Sequence, residues 1–273
     1  MRNVLITGCS TGIGRATALR LARGEWTVYA TARQPATLDE LADAGCQVLA
    51  LDVTSEESME AALAEIDGAV DVLINNAGYS QSGAVESVSM DEVRRQFETN
   101  VFGLVRLTQM VLPGMREQRW GKIVNLSSMG ANFVFPGGGF YHATKYAVDA
   151  LSDALRFEVR GFGVDVIIVQ PGLIKTEFGN AAVSGVPMDG GPYADFNAAV
   201  GAATKGVYES GPLGMLGGGP EAVAKAIEKA ITARRPKARY RVTPSAHLLI
   251  RQRSLMTDRM WDTMLRSQFP QPR

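Results

Sequence analysis

The alternation of strand-like and helix-like segments constrains this chain more than any other feature. Six short β-type runs separate segments of helical periodicity; they lie at 4–6, 26–31, 47–51, 70–74, 122–126 and 164–169. Strands that alternate with helices build parallel βαβ units, because a parallel connection needs a crossover of helical length. The last run is almost continuously β-branched, which is typical of a strand buried on both faces. The sequence therefore predicts an α/β fold with a doubly wound parallel sheet.

Helical periodicity predicts helices between and after these strands. The predicted helices lie at 16–23, 35–44, 56–66, 91–118, 141–161 and 221–233. The segment 177–220 is rich in Gly, Ala and Pro and weakly periodic, which favours a mobile substrate loop. In the tail at 236–273, apolar residues recur at helical spacing and predict a C-terminal helical extension. We see no domain boundary, so a single domain over 1–273 is expected.

Composition excludes several classes of function. The 273 residues suffice for one large α/β domain. Lys plus Arg and Asp plus Glu number 28 each without a block of like charge, which argues against nucleic acid or an anionic membrane as partner. No apolar run has membrane-spanning length, and Arg2-Asn3 leads directly into the first strand without room for a signal peptide. The chain has only two cysteines, Cys9 and Cys46, which are too few for a disulfide framework. We therefore expect a reducing compartment and a cytoplasmic location.

A glycine-rich turn follows the first strand. Gly8, Gly12 and Gly14 have Gly-x-x-x-Gly-x-Gly spacing and precede the helical pattern at 16–23. Glycines let the backbone turn tightly and approach a ligand, while a helix N-terminus offers free N–H groups and a positive dipole end. The arrangement predicts a site for the phosphates of a nucleotide.

The end of the second strand indicates which nucleotide is preferred. Sites that prefer NAD usually place a carboxylate there to bind the ribose 2′-hydroxyl. Here the strand ends in Thr31-Ala32-Arg33, with a cation and no carboxylate. We interpret Arg33 as a contact for a 2′-phosphate, which favours NADP(H), with NAD(H) as the alternative cofactor. The competing interpretation of Arg33 is an ordinary solvated arginine in a loop.

Polar residues follow further strands, at the edge where ligands bind in open α/β sheets. Asp52-Val53 follows the third strand, Asn75-Asn76-Ala77-Gly78 the fourth and Ser127-Ser128 the fifth. Asn100 interrupts the apolar side of the long helix, where an asparagine is more often a satisfied core group than a catalytic one.

Tyr141 and Lys145 stand at the start of the helix predicted at 141–161. Their spacing is a little over one helical turn, so the phenol and the ammonium share a helix face. A tyrosine has a pKa of about 10, and a fixed ammonium lowers that pKa toward neutrality, where proton transfer is most efficient. The pair is a candidate acid/base unit, although taken alone such a pair is usually an ordinary surface pair.

Taken together, the motifs resemble the classical short-chain dehydrogenase/reductase family over roughly residues 3–235. The matching pieces, in the family's order, are Thr7-Gly8-x-x-x-Gly12-x-Gly14, Asp52-Val53, Asn75-Asn76-Ala77-Gly78, Asn100, Ser128, Tyr141-x-x-x-Lys145 and Pro171-Gly172. The resemblance implies a Rossmann-type fold and an NAD(P)-dependent oxidoreductase. The tail beyond residue 236, with Thr31-Ala32-Arg33, bears a weaker likeness to the branch of hydroxysteroid and retinol dehydrogenases.

The resemblance also implies a role for each matching residue. Tyr141 would be the general acid/base, Lys145 would lower its pKa and hold the nicotinamide ribose, and Ser128 would bind the substrate oxygen. Asn100 would anchor a water relay leading to Lys145. The expected cofactor contacts are Gly8, Ser10, Thr11, Gly12, Ile13 and Gly14 at the pyrophosphate, Arg33 at the 2′-phosphate, Asp52 and Val53 at the adenine, Asn76, Ala77 and Gly78 at the adenosine side, and Pro171, Gly172, Ile174 and Thr176 on the nicotinamide side. No metal site is expected.

The substrate and partners are expectations from the same resemblance. The side chains expected around the catalytic groups are Met129, Phe133, Phe135, Phe140, Phe178, Met188 and Tyr193. They favour an apolar ketone or secondary alcohol, steroid- or retinoid-like, with simple core packing as the competing interpretation of each side chain. The helices at 91–118 and 141–161 form the family's usual dimer interface, so a homodimer or homotetramer is expected.

Three functions remain open on the sequence. The first is an NADP(H)-dependent carbonyl reductase or alcohol dehydrogenase, which the complete Asn–Ser–Tyr–Lys set favours. The second is a non-catalytic, NADP(H)-binding regulatory protein, for which loss of a catalytic residue would be the signal. The third is a sugar-nucleotide epimerase or dehydratase, typically a longer chain with a different glycine spacing.

Overall fold

A computed structural model describes residues 1–176, 185–187, 191–209 and 214–272. In this part of the chain one parallel sheet has the strand order β3-β2-β1-β4-β5-β6-β7. The strands are β1 (Arg2–Ile6), β2 (Trp26–Ala32), β3 (Gln47–Ala50), β4 (Val72–Asn75), β5 (Gly121–Leu126), β6 (Val164–Pro171) and β7 (Arg239–Val242). The order reverses between β1 and β4, which is the place where open α/β sheets bind ligands.

Helices cover both faces of the sheet. They are α1 (Gly12–Leu21), α2 (Asp39–Asp43), α3 (Glu56–Ala64), α4 (Met90–Phe97), α5 (Gly103–Glu117), α6 (Gly139–Glu158), α7 (Ala194–Glu209), α8 (Pro220–Thr232), α9 (Pro244–Leu255) and α10 (Asp258–Arg266). Buried side chains of α1, α2 and α8 pack on one face of the sheet, and those of α3 and α5 on the other. The predicted doubly wound α/β fold is confirmed.

Strand alternation explains why the apolar runs are continuous. In β1, Val4 and Ile6 belong to the core on one face, while Leu5 belongs to the core on the other. All three side chains are fully buried. In β6, Val166 and Ile167 divide between the same two cores, so this strand is buried on both faces as predicted.

Two predicted helices have different boundaries in the structure. Helix α1 begins at Gly12, whereas the prediction began at 16, because glycines score as loop residues even where they form the first helical turn. The helix predicted at 35–44 is divided into a 3₁₀ turn, Pro35–Leu38, followed by the short helix α2.

The long helix predicted at 91–118 is present and contains a π turn. Helices α4 and α5 are joined without interruption by the π segment Glu98–Phe102, and Asn100 lies within it. Such π turns inside α-helices often occur at functional sites. The sequence marked the asparagine but not the change in helix type.

The prediction of a C-terminal helical extension missed one strand, because residues 239–242 form β7 and complete the sheet beside β6. A helix also occupies part of the segment predicted as a loop, since α7 spans Ala194–Glu209. Its alanines, glycines and valines give little amphipathic contrast, so periodicity did not reveal it. The tail does end in the helices α9 and α10.

Helices α9 and α10 form a third apolar cluster with the segment that follows β5. Its buried members are Met129, Phe133, Leu173, Ala246, Leu249, Ile250 and Trp261. Because Met129 and Phe133 are 7% and 2% exposed, the competing interpretation of core packing applies to both, rather than the predicted substrate contact. The C-terminal extension therefore supports the segment between Ser128 and Tyr141.

Candidate active site

The glycine-rich loop has the geometry of a phosphate cradle. Gly8 and Gly12 have φ angles of +71° and +59°, a region that side chains disfavour. A Cβ atom on Gly14 would lie only 2.2 Å from the Gly8 carbonyl oxygen, so the loop closes tightly on the first turn of α1. Thr11 precedes α1 without a side-chain hydrogen bond to the helix end. The uncapped N–H groups of α1 and the glycine backbone fit an anionic phosphate.

Asn76 fastens this loop to the end of β4. Its Nδ2 atom donates to the carbonyl oxygens of Thr7 and Gly8, at 2.8 and 2.9 Å. The backbone N–H groups of Asn76 and Ala77 each donate to the Thr7 hydroxyl at 3.0 Å. Hydrogen bonds thus connect the loop after β1 directly to the turn after β4, across the point where the strand order reverses.

The residues predicted to meet the adenosine end follow β2 and β3. Arg33 directly follows β2 and its side chain is exposed. The Asp52 carboxylate accepts from the Thr54 N–H at 2.9 Å and from the Thr54 hydroxyl at 2.8 Å, which fixes a turn after β3. Arg15 of α1 forms an ion pair with Glu40 of α2.

Lys145 lies buried at the centre of the candidate catalytic group. Its Nζ atom donates to the Leu126 carbonyl oxygen at 2.8 Å and lies 5.8 Å from the centre of the Tyr141 ring. Burial lowers the pKa of Lys145 to about 8, and the charge of Asp149 one turn later opposes that shift. A Cβ on Gly78 would lie 3.0 Å from Asn100 Oδ1 and 3.9 Å from Nζ, so this glycine lies close to both polar groups.

Asn100 is held in place by backbone groups and by α6. Its Nδ2 atom donates to the Tyr79 carbonyl at 2.9 Å and to the Thr144 hydroxyl at 3.1 Å, while its Oδ1 accepts from the Tyr79 N–H at 3.1 Å. The Thr144 hydroxyl donates in turn to the Tyr141 carbonyl at 2.7 Å. The π turn is therefore joined to the helix turn that separates Tyr141 from Lys145.

Ser128 and Tyr141 lie on adjoining segments, both half-buried. Ser128 follows β5, and its Oγ accepts a 3.0 Å hydrogen bond from the Gly130 N–H. With an acceptor site used in this way, the hydroxyl hydrogen can still be donated to a substrate oxygen. Tyr141 lies in the first turn of α6.

The segment after β6 crosses over the glycine-rich loop. A Cβ on Gly12 would lie 3.4 Å from the Thr176 side chain, so the two predicted cofactor segments face each other. Pro171 ends β6. A Cβ on Gly172 would lie 2.4 Å from the Ser245 and Thr243 oxygens, so this glycine permits close packing of the C-terminal extension. Ile174 is buried and forms a β-bridge with Gly218.

The remaining predicted substrate contacts divide into several environments. Phe135 stacks on Trp261 with ring centres 5.9 Å apart, which places it against α10. The Tyr193 hydroxyl donates to Glu86 at 2.7 Å. Phe178 and Met188 lie outside the described residues.

A cavity of about 1090 Å³ is lined by the segment that follows β5 and by residues of α9 and α10. Phe133, Tyr146, Arg251 and Trp261 are among its lining residues, and none of the four candidate catalytic residues lines it. The cavity is therefore separate from the candidate site.

Other sequence features have no place in this chemistry. Cys9 and Cys46 are free and buried, and burial raises their pKa values to about 12 and about 11, so both are protonated thiols at neutral pH. Within the described ranges, no group of His, Cys, Asp or Glu side chains is arranged to hold a metal ion. No helix of the described chain is long and apolar enough to cross a membrane.

Sequence reasoning missed His142, which contacts the segments of both Ser128 and Tyr141. Its Nδ1 atom lies 2.8 Å from the Gly130 carbonyl oxygen, and its Nε2 accepts from the Phe135 N–H at 3.2 Å. Its position directly after Tyr141 was the available signal, but the partners are set by tertiary structure.

Comparison with known proteins shows what this arrangement belongs to. A profile of the family described as short chain dehydrogenase matches residues 2–186. The 3-ketodihydrosphingosine reductase of Bacteroides thetaiotaomicron is 36% identical over 268 residues, covering 96% of each chain. The NADPH-dependent 3-dehydrocapnine reductase of Ornithobacterium rhinotracheale is 35% identical over 277 residues, covering 96% of this chain and 95% of the relative.

A solved structure agrees over most of the fold. The closed form of a serine dehydrogenase complexed with NADP+ has a TM-score of 0.76 and 29% identity, covering 89% of this chain and 94% of the other. With the sheet order, the glycine-rich loop and the Ser–Tyr–Lys group in place, the chain belongs to the short chain dehydrogenase family and is an oxidoreductase that acts on CH–OH or carbonyl groups.

Proposed function

We propose that the protein is an NADP(H)-dependent carbonyl reductase or alcohol dehydrogenase, which transfers hydride between the nicotinamide and an apolar ketone or secondary alcohol. The observation that carries the proposal is the buried Lys145 ammonium, 5.8 Å from the Tyr141 ring centre and fixed by the Leu126 carbonyl. A positive charge held beside a phenol favours the phenolate, which is the property an acid/base tyrosine requires.

The proposed chemistry assigns the proton to Tyr141. The nicotinamide cofactor supplies or accepts the hydride. In reduction the carbonyl carbon gains that hydride, and the oxygen, which becomes negative, gains the proton of the Tyr141 hydroxyl. Ser128 donates a hydrogen bond to the same oxygen and stabilises the developing charge. In oxidation the Tyr141 phenolate takes the proton of the alcohol.

Lys145 and Asn100 support that proton transfer. The Lys145 ammonium stabilises the phenolate that forms and holds the nicotinamide ribose. Asn100 anchors a water relay that returns a proton toward Lys145. The hydrogen bonds from Asn100 to Tyr79 and Thr144 support this role, because they fix the asparagine beside the turn that carries both catalytic groups.

The cofactor would lie across the carboxyl edge of the sheet. The proposed contacts are Gly8, Ser10, Thr11, Gly12, Ile13 and Gly14 at the pyrophosphate, Asp52 and Val53 at the adenine, Asn76, Ala77 and Gly78 at the adenosine side, and Pro171, Gly172, Ile174 and Thr176 at the nicotinamide. Exposed Arg33 would bind the 2′-phosphate, which is the basis for NADP(H) preference. A relative named as NADPH-dependent and a related structure complexed with NADP+ support a nicotinamide cofactor.

The substrate proposal is a lipid-like ketone. Two relatives are named for 3-ketodihydrosphingosine and for 3-dehydrocapnine, which adds these ketones to the steroids and retinoids considered from the sequence. Phe140 and Tyr193, both half-buried, remain candidates to line such a pocket.

The test is oxidation of NADPH and of NADH by the purified protein with a panel of carbonyl compounds. The panel contains 3-ketodihydrosphingosine, 3-dehydrocapnine, steroid ketones and retinal. Turnover of an apolar carbonyl, faster with NADPH, is the expected result. NADPH binding by fluorescence without turnover on any compound would contradict the proposal and favour a non-catalytic, NADP(H)-binding protein.

A further inference from the structure

His142 occupies a slot formed by two glycines. The side chain is buried on α6, directly after Tyr141. A Cβ on Gly130 would lie 2.7 Å from its Nδ1 atom, and a Cβ on Gly138 would lie 2.9 Å from its Cδ2 atom. Any other residue at position 130 or 138 would therefore push against the imidazole, and the ring fits only because both neighbours lack side chains.

The two ring nitrogens have fixed and different partners. Nδ1 lies 2.8 Å from the Gly130 carbonyl oxygen, and Nε2 lies 3.2 Å from the Phe135 nitrogen. A carbonyl oxygen only accepts and a backbone N–H only donates, so Nδ1 carries the hydrogen and Nε2 is the acceptor. Burial lowers the pKa of His142, in agreement with a neutral ring, while the Gly130 bond acts in the opposite direction.

Gly130 connects this imidazole to the candidate substrate-binding hydroxyl. The Gly130 N–H donates to Ser128 Oγ at 3.0 Å, and the Gly130 carbonyl oxygen binds His142 Nδ1. One glycine residue thus joins the Ser128 side chain to the helix that begins around Tyr141. Since both ring nitrogens are occupied by backbone, His142 is not arranged to act as an acid or base itself.

The same segment is held from outside by the C-terminal extension. Trp261 Nε1 donates to the Val134 carbonyl at 3.2 Å. The Trp261 ring lies 5.6 Å from the ring of Phe133 and 5.9 Å from that of Phe135, between centres. The segment is therefore held by α10 on one side and by His142 of α6, the residue next to Tyr141, on the other.

We propose that His142 is a positioning residue, which sets the Ser128 hydroxyl relative to the Tyr141 phenol through Gly130. This inference rests on the proposed function, in which both groups donate to one substrate oxygen. Donors aimed at developing charge work only at hydrogen-bond distance, and a misplacement of about 1 Å can cost about 100-fold in rate. His142 acts through other groups and does not touch the substrate.

Three substitutions separate its contributions. His142→Asn keeps a donor at the place of Nδ1 for the Gly130 carbonyl, whereas His142→Gln keeps an acceptor near Nε2 for the Phe135 N–H. His142→Phe fills the slot and offers neither bond. The matched control is His247→Gln, because His247 is the chain's other histidine and is exposed on α9.

We expect kcat to fall least in the Asn variant, more in the Gln variant and by about 30–100-fold in the Phe variant, with the Kd for NADPH unchanged within about twofold. The His247→Gln variant retains His142 as its single histidine, so nitrogen NMR of this variant with labelled histidine reports the protonation of His142 alone. This measurement does not depend on whether the His142 variants fold. It should show one neutral imidazole protonated at Nδ1.

Each result decides between outcomes. Unchanged kcat in the His142→Phe variant would show that the side chain only fills the space between Gly130 and Gly138. That result would overturn the inference and leave the proposed function intact. An imidazolium, or a ring protonated at Nε2, would overturn it even if the Phe variant does not fold. Equal losses of kcat and NADPH affinity would also overturn it, since they mean general damage. Wild-type protein without carbonyl turnover would overturn the proposed function and the positioning role together.

Discussion

The Lys145 Nζ atom lies 5.8 Å from the centre of the Tyr141 ring, one helical turn along α6. The Lys145 side chain is buried, and its ammonium is anchored by the Leu126 carbonyl at the end of β5. The Lys145 ammonium is thus held in a fixed position between β5 and α6. Because it is buried, its charge acts on the Tyr141 phenol with less screening than in water.

Loss of the Lys145 charge should appear in the pH profile. Burial lowers its pKa to about 8, so the ammonium is present below that pH and is lost above it. Because kcat/KM reports ionisations of the free enzyme, we expect kcat/KM for NADPH to fall as the pH rises through about 8. An arginine stays protonated throughout this range, so a Lys145→Arg variant should lack this decline whatever its absolute rate. Persistence of the decline in that variant would assign it to another group.

Gly14 should be indispensable for cofactor binding. A Cβ at this position would lie 2.2 Å from the Gly8 carbonyl oxygen and 2.6 Å from Asn76 Nδ2, so Gly14→Ala must displace the loop. We expect NADPH affinity to fall by about 100-fold or more, which corresponds to about 2.7 kcal/mol. Gly201→Ala on α7 is the control, because its Cβ would meet no heavy atom within 4 Å. Equal NADPH affinities of the two variants in a fluorescence titration would show that the glycine-rich loop does not bind the cofactor phosphates.

Arg33 should decide between the two nicotinamide cofactors. A hydrogen bond to a charged group contributes about 1.5–3 kcal/mol, so Arg33→Asp should lower the ratio of kcat/KM for NADPH over NADH by about 10–100-fold. Arg23→Asp makes the same charge change at an exposed position beyond α1 and should leave the ratio unchanged. Equal ratios in the wild-type and Arg33→Asp proteins would show that Arg33 does not bind the phosphate.

An exposed stripe on α6 supports the expected homo-oligomer. Ala143, Tyr146, Ala150, Ala154 and Phe157 recur at helical spacing and are all exposed, with Phe157 87% exposed. We propose that this face packs against a second copy, so size exclusion with light scattering should give a dimer or tetramer. Phe157→Asp should lower the mass, whereas Phe157→Leu should not. A wild-type monomer would rule the proposal out.

Strands β1 to β6 could be predicted because their signals are local. Each has an apolar run that ends in a polar or small residue, so the position of Ser128 follows from β5 alone. Strand β7 has only the residues Arg239–Val242, pairs on one side with β6, and precedes a tail with helical spacing. Four residues are too few for a strand-type alternation to be recognised beside the helical spacing of apolar residues in the rest of the tail.

The structure adds relations that local sequence does not encode. His142 depends on Gly130 and Gly138, and Asn100 on Thr144 of another helix. The contact of Asn100 joins two helices, and those of His142 depend on how the loop before α6 folds back on the helix, so no residue type or spacing predicts them. The motifs predicted that Tyr141 and Lys145 share a face of α6, while the backbone partners that hold the candidate residues became visible only in three dimensions.

The most direct test of the proposed chemistry is turnover by Tyr141→Phe with NADPH and a carbonyl that the wild-type protein reduces. Phenylalanine keeps the ring and removes only the hydroxyl, so the cofactor should still bind with a Kd within about threefold of the wild-type value. Loss of general acid catalysis should lower kcat by about 100- to 10,000-fold. A variant that binds NADPH normally and retains more than about a tenth of wild-type kcat would contradict the assignment of the proton to Tyr141.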